Sequence, residues 1–132
     1  MVDLGTLGGT YSYAYGISGD GSAVVGHADT DSGHSHAFRW TEASGMTNLG
    51  TLGGNWSYAY RVNIDGSVVI GYARTEEDHY HAFRWTEAGG MADLGTLGGN
   101  YSWASGLSDD GSVVVGVTYD ADSIYQPFRW TA

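Results

Sequence analysis

The chain has no cysteine, no lysine and a single proline, Pro127. Without cysteine there is no disulfide, no thiolate metal site and no cysteine nucleophile; the compartment stays open. Five arginines face fifteen acidic residues, so the formal net charge is −10. A nucleic-acid backbone or an anionic membrane surface, both negative themselves, is disfavoured as a partner; calcium or a neutral ligand stays open. No apolar run approaches the 18 residues of a membrane-spanning helix, so no membrane insertion is expected, and the start carries no signal-peptide pattern. Against the one proline stand 22 glycines at fixed phases and 14% aromatic residues, which marks turns in a folded chain rather than disorder. Its 132 residues fit one domain that buries roughly two-thirds of its unfolded surface.

What is present is a repeat. Leu4-Gly5-Thr6-Leu7-Gly8-Gly9 returns unchanged at 49–54 and 94–99, a period of 45 residues. Asp20-Gly21-Ser22 and Phe38-Arg39-Trp40-Thr41 recur in the same register, and 18 of the 42 positions present in all three copies are identical. Such a period signifies propeller blades or solenoid coils. The units are 1–45, 46–90 and 91–132. The chain opens in phase with Met46, partway through a unit, which reads as a cut at a seam or a trimmed end.

Within the first unit Tyr11, Tyr13 and Tyr15 alternate with small residues, as in a strand with one aromatic face. Asp20-Gly21 supplies a hairpin turn. Ala23-Val24-Val25-Gly26 predicts a short strand covered on both faces. Residues 27–35 are polar and predict a loop. His36, Phe38 and Trp40 alternate along a third strand, and Met46-Thr47-Asn48-Leu49 supplies a short fourth. The expected class is all-β, with four antiparallel strands per repeat and no helical periodicity. The order of phases places a fourth strand at the N-terminus and leaves one missing at the C-terminus, the arrangement by which propellers seal their seam.

The motifs Asp-Leu-Gly-Thr-Leu-Gly-Gly, Asp-Gly-Ser, Val-Val-Gly and Phe-Arg-Trp, with His36-Ala37-Phe38 and His81-Ala82-Phe83, resemble the HAF-type extracellular repeat family of bacterial proteins. The third copy departs, with Gln126-Pro127-Phe128. The resemblance covers essentially the whole chain and implies β-propeller blades and an extracellular or cell-surface location, with no established activity.

Three blades cannot close a ring, because propellers use about 4–8. Two copies supply six. The expectation is therefore a homodimer in which residues 1–7 of each chain complete the last blade of the other. The rival is a monomeric β-trefoil, also three repeats of four strands.

Divergence between copies concentrates at 27–35, 72–80 and 117–125, which should gather with residues 8–12, 53–57 and 98–102 on one rim, and loops on a rigid scaffold carry binding. Tyr11, Trp56 and Tyr101, with Asn55 and Asn100 beside them, offer ring faces and amides for a glycan; His34 and His79 join them from the loops. His27, Asp29, Asp31, His34 and His36, and Glu76, Glu77, Asp78, His79 and His81, have spacings compatible with a metal. Ile124 and Gln126 in the third copy forbid a symmetric metal ring, and Asp29, Asp31, Asp120 and Asp122 lack calcium-ligand spacing; no metal or cofactor is expected. Arg39, Arg84 and Arg129 are expected to pair with Asp20, Asp65 or Asp110 or to stack on rings, and Trp40, Trp85 and Trp130 to fill the gaps between blades.

No catalytic residue is expected. The glycine pairs precede strands, not a helix N-terminus, and the serines have no partnered His and acid. The functional expectation is a non-enzymatic scaffold whose loop rim takes a glycan or protein ligand. The alternatives are a purely structural or engineered repeat assembly and, last, a glycoside hydrolase whose two carboxylates no spacing places.

Overall fold

The computed structural model describes Met1–Ala132. It contains β1 (Gly8–Ile17), β2 (Ala23–Thr30), β3 (Ser35–Thr41), β4 (Gly45–Asn48), β5 (Gly53–Val62), β6 (Val68–Thr75), β7 (Tyr80–Thr86), β8 (Gly90–Asp93), β9 (Gly98–Leu107), β10 (Val113–Asp120) and β11 (Tyr125–Thr131), with no helix. β1–β4 and β5–β8 are four-stranded antiparallel meanders, and β9–β11 is a three-stranded one. One parallel pairing, Tyr80 with Tyr101, joins the second blade to the third. Separate meanders stacked side by side do not form a trefoil, so that alternative falls.

The first and third hairpins close the same way, and in the second Asn63 Oδ1 accepts from the Val68 amide in place of a serine. Asp20 Oδ1 accepts from the Ser22 amide and from both serine hydroxyls, Ser18 and Ser22, while Ser18 Oγ accepts from the Ala23 amide. Asp110 repeats this with Ser108 and Ser112. These bonds hold the Asp20 and Asp110 carboxyls down at about 2. The recurring glycine of the second strand has a different cause. A Cβ on Gly26 or Gly71 would lie 1.8 Å from the carbonyl oxygen of Tyr13 or Tyr58 on the adjacent strand.

Two expectations of local structure change. The polar stretch 27–35 is mostly strand, because β2 runs to Thr30 and the turn occupies 31–34 alone. The Thr30 amide donates to His34 O and the Gly33 amide to Thr30 O, so the backbone ladder continues under polar side chains. His27 and Asp29 are therefore strand residues. Arg39 and Arg84 stack on rings, Arg129 does not, and none pairs with the hairpin acids, whose Oδ1 atoms are taken by serine. Instead Arg39 Nε donates to Gly66 O of the next hairpin at 2.7 Å, and Arg84 Nε to Gly111 O at 3.0 Å.

The core lies between blades. Val25 and Ala37 pack on Ala59, Val69, Phe83 and Trp85; Ile70 and Ala82 pack on Ala104 and Val114. Phe38 and Phe83 are fully buried, each contributing about 1.5–3 kcal/mol of transfer free energy. Both internal seams share the same polar set. The Ala37 amide donates to Ser57 Oγ at 2.8 Å, and Ala82 to Ser102 Oγ at 2.9 Å. Arg39 lies over Trp85 and Arg84 over Trp130, at 5.8 and 5.5 Å.

The two outer flanks are open. Val115 is 43% exposed, whereas its repeat mates Val25 and Ile70 are at 0%. On the other flank Ile17 is 63% exposed, whereas Val62 and Leu107 are half-buried. Residues 1–6 form no strand within the chain, and β11 has a free edge where β3 and β7 are paired with β4 and β8.

Candidate functional site

β5 carries Trp56, Tyr58 and Tyr60 on one face, and the register Tyr58↔Tyr72 brings β6 onto that face. The ring centroids form a continuous chain. Tyr13 stacks near His27 (5.1 Å), His27 edges Tyr58 (4.5 Å), Tyr58 meets Trp56 (5.0 Å), and Trp56 meets Tyr80 (4.9 Å). Tyr80 continues to Tyr101 (5.0 Å), Tyr101 to Tyr119 (5.6 Å), and Tyr119 to Tyr125 (4.4 Å). A strand pleat puts every second side chain on one face, so this band follows from alternation on paired strands.

Of the expected contacts, the structure brings Trp56, Tyr101 and His79 into this band, with His79 6.2 Å from Tyr101. Asn100 lines a rim hollow of about 280 Å³ with Tyr101, Tyr119 and Asp120. Asn55 is exposed at the same phase on the neighbouring blade. Tyr11 is 60% exposed and His34 lies in the first turn; neither meets another ring. Tyr72, Tyr80, Tyr119 and Tyr125 were not expected in the site. The signal for them is the pairing of strands two and three in register with the aromatic first strand.

Between the second and third blades the band opens into a cleft. One hollow of about 420 Å³ is lined wholly by Trp56, Tyr58, Tyr72, Tyr80 and Trp103. A second, of about 270 Å³, shares Tyr72 and Trp103 with it and adds Tyr60, Arg61, Ala104 and Ser105. The corresponding gap between the first and second blades is filled by His27, which takes the repeat phase of Tyr72. Burial pushes the His27 imidazole below its ordinary value, against the opposing charge of Asp29, and its Nδ1 has no partner. Burial also raises the Tyr58 and Tyr60 hydroxyls, and at Tyr60 the Tyr72 hydroxyl 3.4 Å away adds to it; both stay protonated donors.

Charge at the site is sparse. Arg74 lies 5.9 Å over the Trp56 ring and pairs with Asp78. His81 Nδ1 meets the Asp93 carboxylate at 2.7 Å on the outer strand pair, where His36 meets Asn48. No three His, Asp or Glu side chains come together in a metal-holding group.

β1 touches β5 and β5 touches β9, so the first strands converge on one side of the molecule. Solved structures share this fold. TolB from Acinetobacter baumannii superposes with a TM-score of 0.66 at 19% identity, over 93% of this chain and 30% of that one. A putative TolB from Agrobacterium tumefaciens gives 0.65 at 19% identity, over 92% of this chain and 46% of that one. The fold is propeller-like. This chain spans less than half the length of either structure. No family model and no curated protein matches it. The first strands of the three blades supply Tyr13, Trp56, Tyr58 and Tyr101 of this aromatic band.

Proposed function

We propose that the chain is a non-enzymatic β-propeller scaffold that closes with a second copy into a six-bladed ring and binds a glycan or protein ligand at its aromatic rim. The observation that carries the reading is the state of the two flanks. One presents Arg129, exposed; the other presents the Gly21 hairpin and Trp40, half-buried. These are the repeat counterparts of the Arg39–Gly66–Trp85 and Arg84–Gly111–Trp130 sets that hold the internal seams. Exposed apolar side chains on both flanks add a reason for closure. The free edge of β11 matches residues 1–3, which are in phase with Met46–Asn48 of β4 and Met91–Asp93 of β8, so each N-terminal segment supplies the other chain's missing strand.

An extracellular or surface location is part of the proposal and rests on the repeat resemblance. Light scattering after gel filtration should give twice the 14.0 kDa of the chain; a monomer at micromolar concentration overturns closure. On a glycan array the dimer should bind, and Tyr101→Ala should weaken binding while leaving the dimer intact. A dimer that binds neither glycan nor protein is a bare scaffold.

A further inference from the structure

We infer that the cleft between the second and third blades binds a terminal pyranose carrying a carboxylate, with Tyr72 and Trp103 against the sugar ring and Arg61 on the carboxylate. This deepens the glycan reading of the rim and rests on it. The first ground is that the cleft departs from the repeat. His27 closes its counterpart one seam earlier, whereas Tyr72 leaves two adjoining hollows of about 420 and 270 Å³. A space of this size with aromatic walls fits a few sugar rings, whose C–H faces lie against π surfaces while tyrosine hydroxyls bond to their rims.

The second ground is Arg61. The other two copies carry glycine at this phase, Gly16 and Gly106. A side chain there would press on the Tyr60 carbonyl oxygen at 2.9 Å or on Val115 Cγ2 at 2.7 Å. In the second blade the position opens into the cleft and holds a guanidinium. Arg39 and Arg84 are engaged in the seams and Arg74 with Asp78, but Arg61 gives only Nη1 to its neighbouring Tyr60 carbonyl at 3.1 Å. No carboxylate of the chain reaches it. Its planar fork suits a carboxylate, held by two parallel bonds.

The third ground is net charge. At −10 the protein repels polyanions at long range. Salt screens that field within about 8 Å under physiological conditions, so one uronate at the end of an otherwise neutral chain is favoured over a polyuronide.

The test uses the whole chain, ¹⁵N-labelled, with methyl β-glucuronide and methyl β-glucoside as probes. Its five tryptophans should each give one indole signal. Glucuronide should shift Trp56 and Trp103 and leave Trp40, Trp85 and Trp130 in place. It should bind about tenfold or more tighter than glucoside, the size of one charged hydrogen bond. Arg61→Gly restores the residue of the sister blades, so it should fold and bring that ratio to about one, while Trp103→Ala should lose both probes. An unchanged ratio in Arg61→Gly, or no shift at Trp103 with millimolar probe, overturns the inference. Array binding that survives Arg61→Gly and Trp103→Ala but fails in Tyr101→Ala overturns the cleft and keeps the rim. Cleft shifts in a monomeric chain uphold the cleft and overturn closure alone.

Discussion

Single atoms decide much of this molecule. Gly71→Ala would drive a methyl group into the Tyr58 carbonyl across the ladder, with Ala59 Cα 2.9 Å away, and the adjacent backbone cannot yield cheaply. The expected loss is about 3 kcal/mol or more, measured by urea unfolding. Ser102→Ala removes the acceptor of the buried Ala82 amide and should cost about 1–3 kcal/mol. Ser12→Ala is the control, since Ser12 is exposed and bonds only to Gly5 O. Protonation offers a further check. Because burial lowers the His27 pKa in the folded state, its contribution is fully present above the ordinary 6.5 and declines as pH falls below that value. Melting at pH 7.5 and 5.5 should show the decline, and His27→Val, the residue of the third blade, should flatten it. Asp20 and Asp110, held near 2, lose their contribution only as pH falls from 3.8 toward that value.

At the level of elements, the strands were legible because alternation and Asp-Gly turns repeat three times. The reach of β2 was not. His27, Asp29 and Thr30 look like a loop by polarity, yet all three pair in register with β1 or β3. The candidate site was half legible for a related reason. Tyr11, Trp56 and Tyr101 stand out as the aromatic openings of the first strands, but Tyr72, Tyr80 and Tyr119 join Trp56 and Tyr101 only through cross-strand register, which one strand's pattern does not reveal, and Tyr11 stays apart. Arg61 was in plain view as a break in the repeat, and it acquires meaning only beside the cleft. The arginine between blades links element to element. Arg84→Ala should cost about 1–3 kcal/mol, combining a bond to a carbonyl with a cation over Trp130, read from chemical denaturation. Arg129→Ala should leave the stability of the isolated chain nearly unchanged and weaken self-association.

For the molecule as a whole, the two flanks set the behaviour. Deleting residues 1–7 should abolish the proposed dimer while the three blades keep their far-ultraviolet β signature, and gel filtration with circular dichroism checks both. A dimer that persists would show that face-to-face packing suffices without the borrowed strand. Pro127 stands at the phase of Ala37 and Ala82, and a proline ring has no amide hydrogen to give. In the proposed ring, therefore, the partner's Ser12 hydroxyl goes unanswered at both places where two polypeptides meet. Under force or dilution such a ring would come apart into two intact arcs before either arc frayed, and Pro127→Ala should slow that parting.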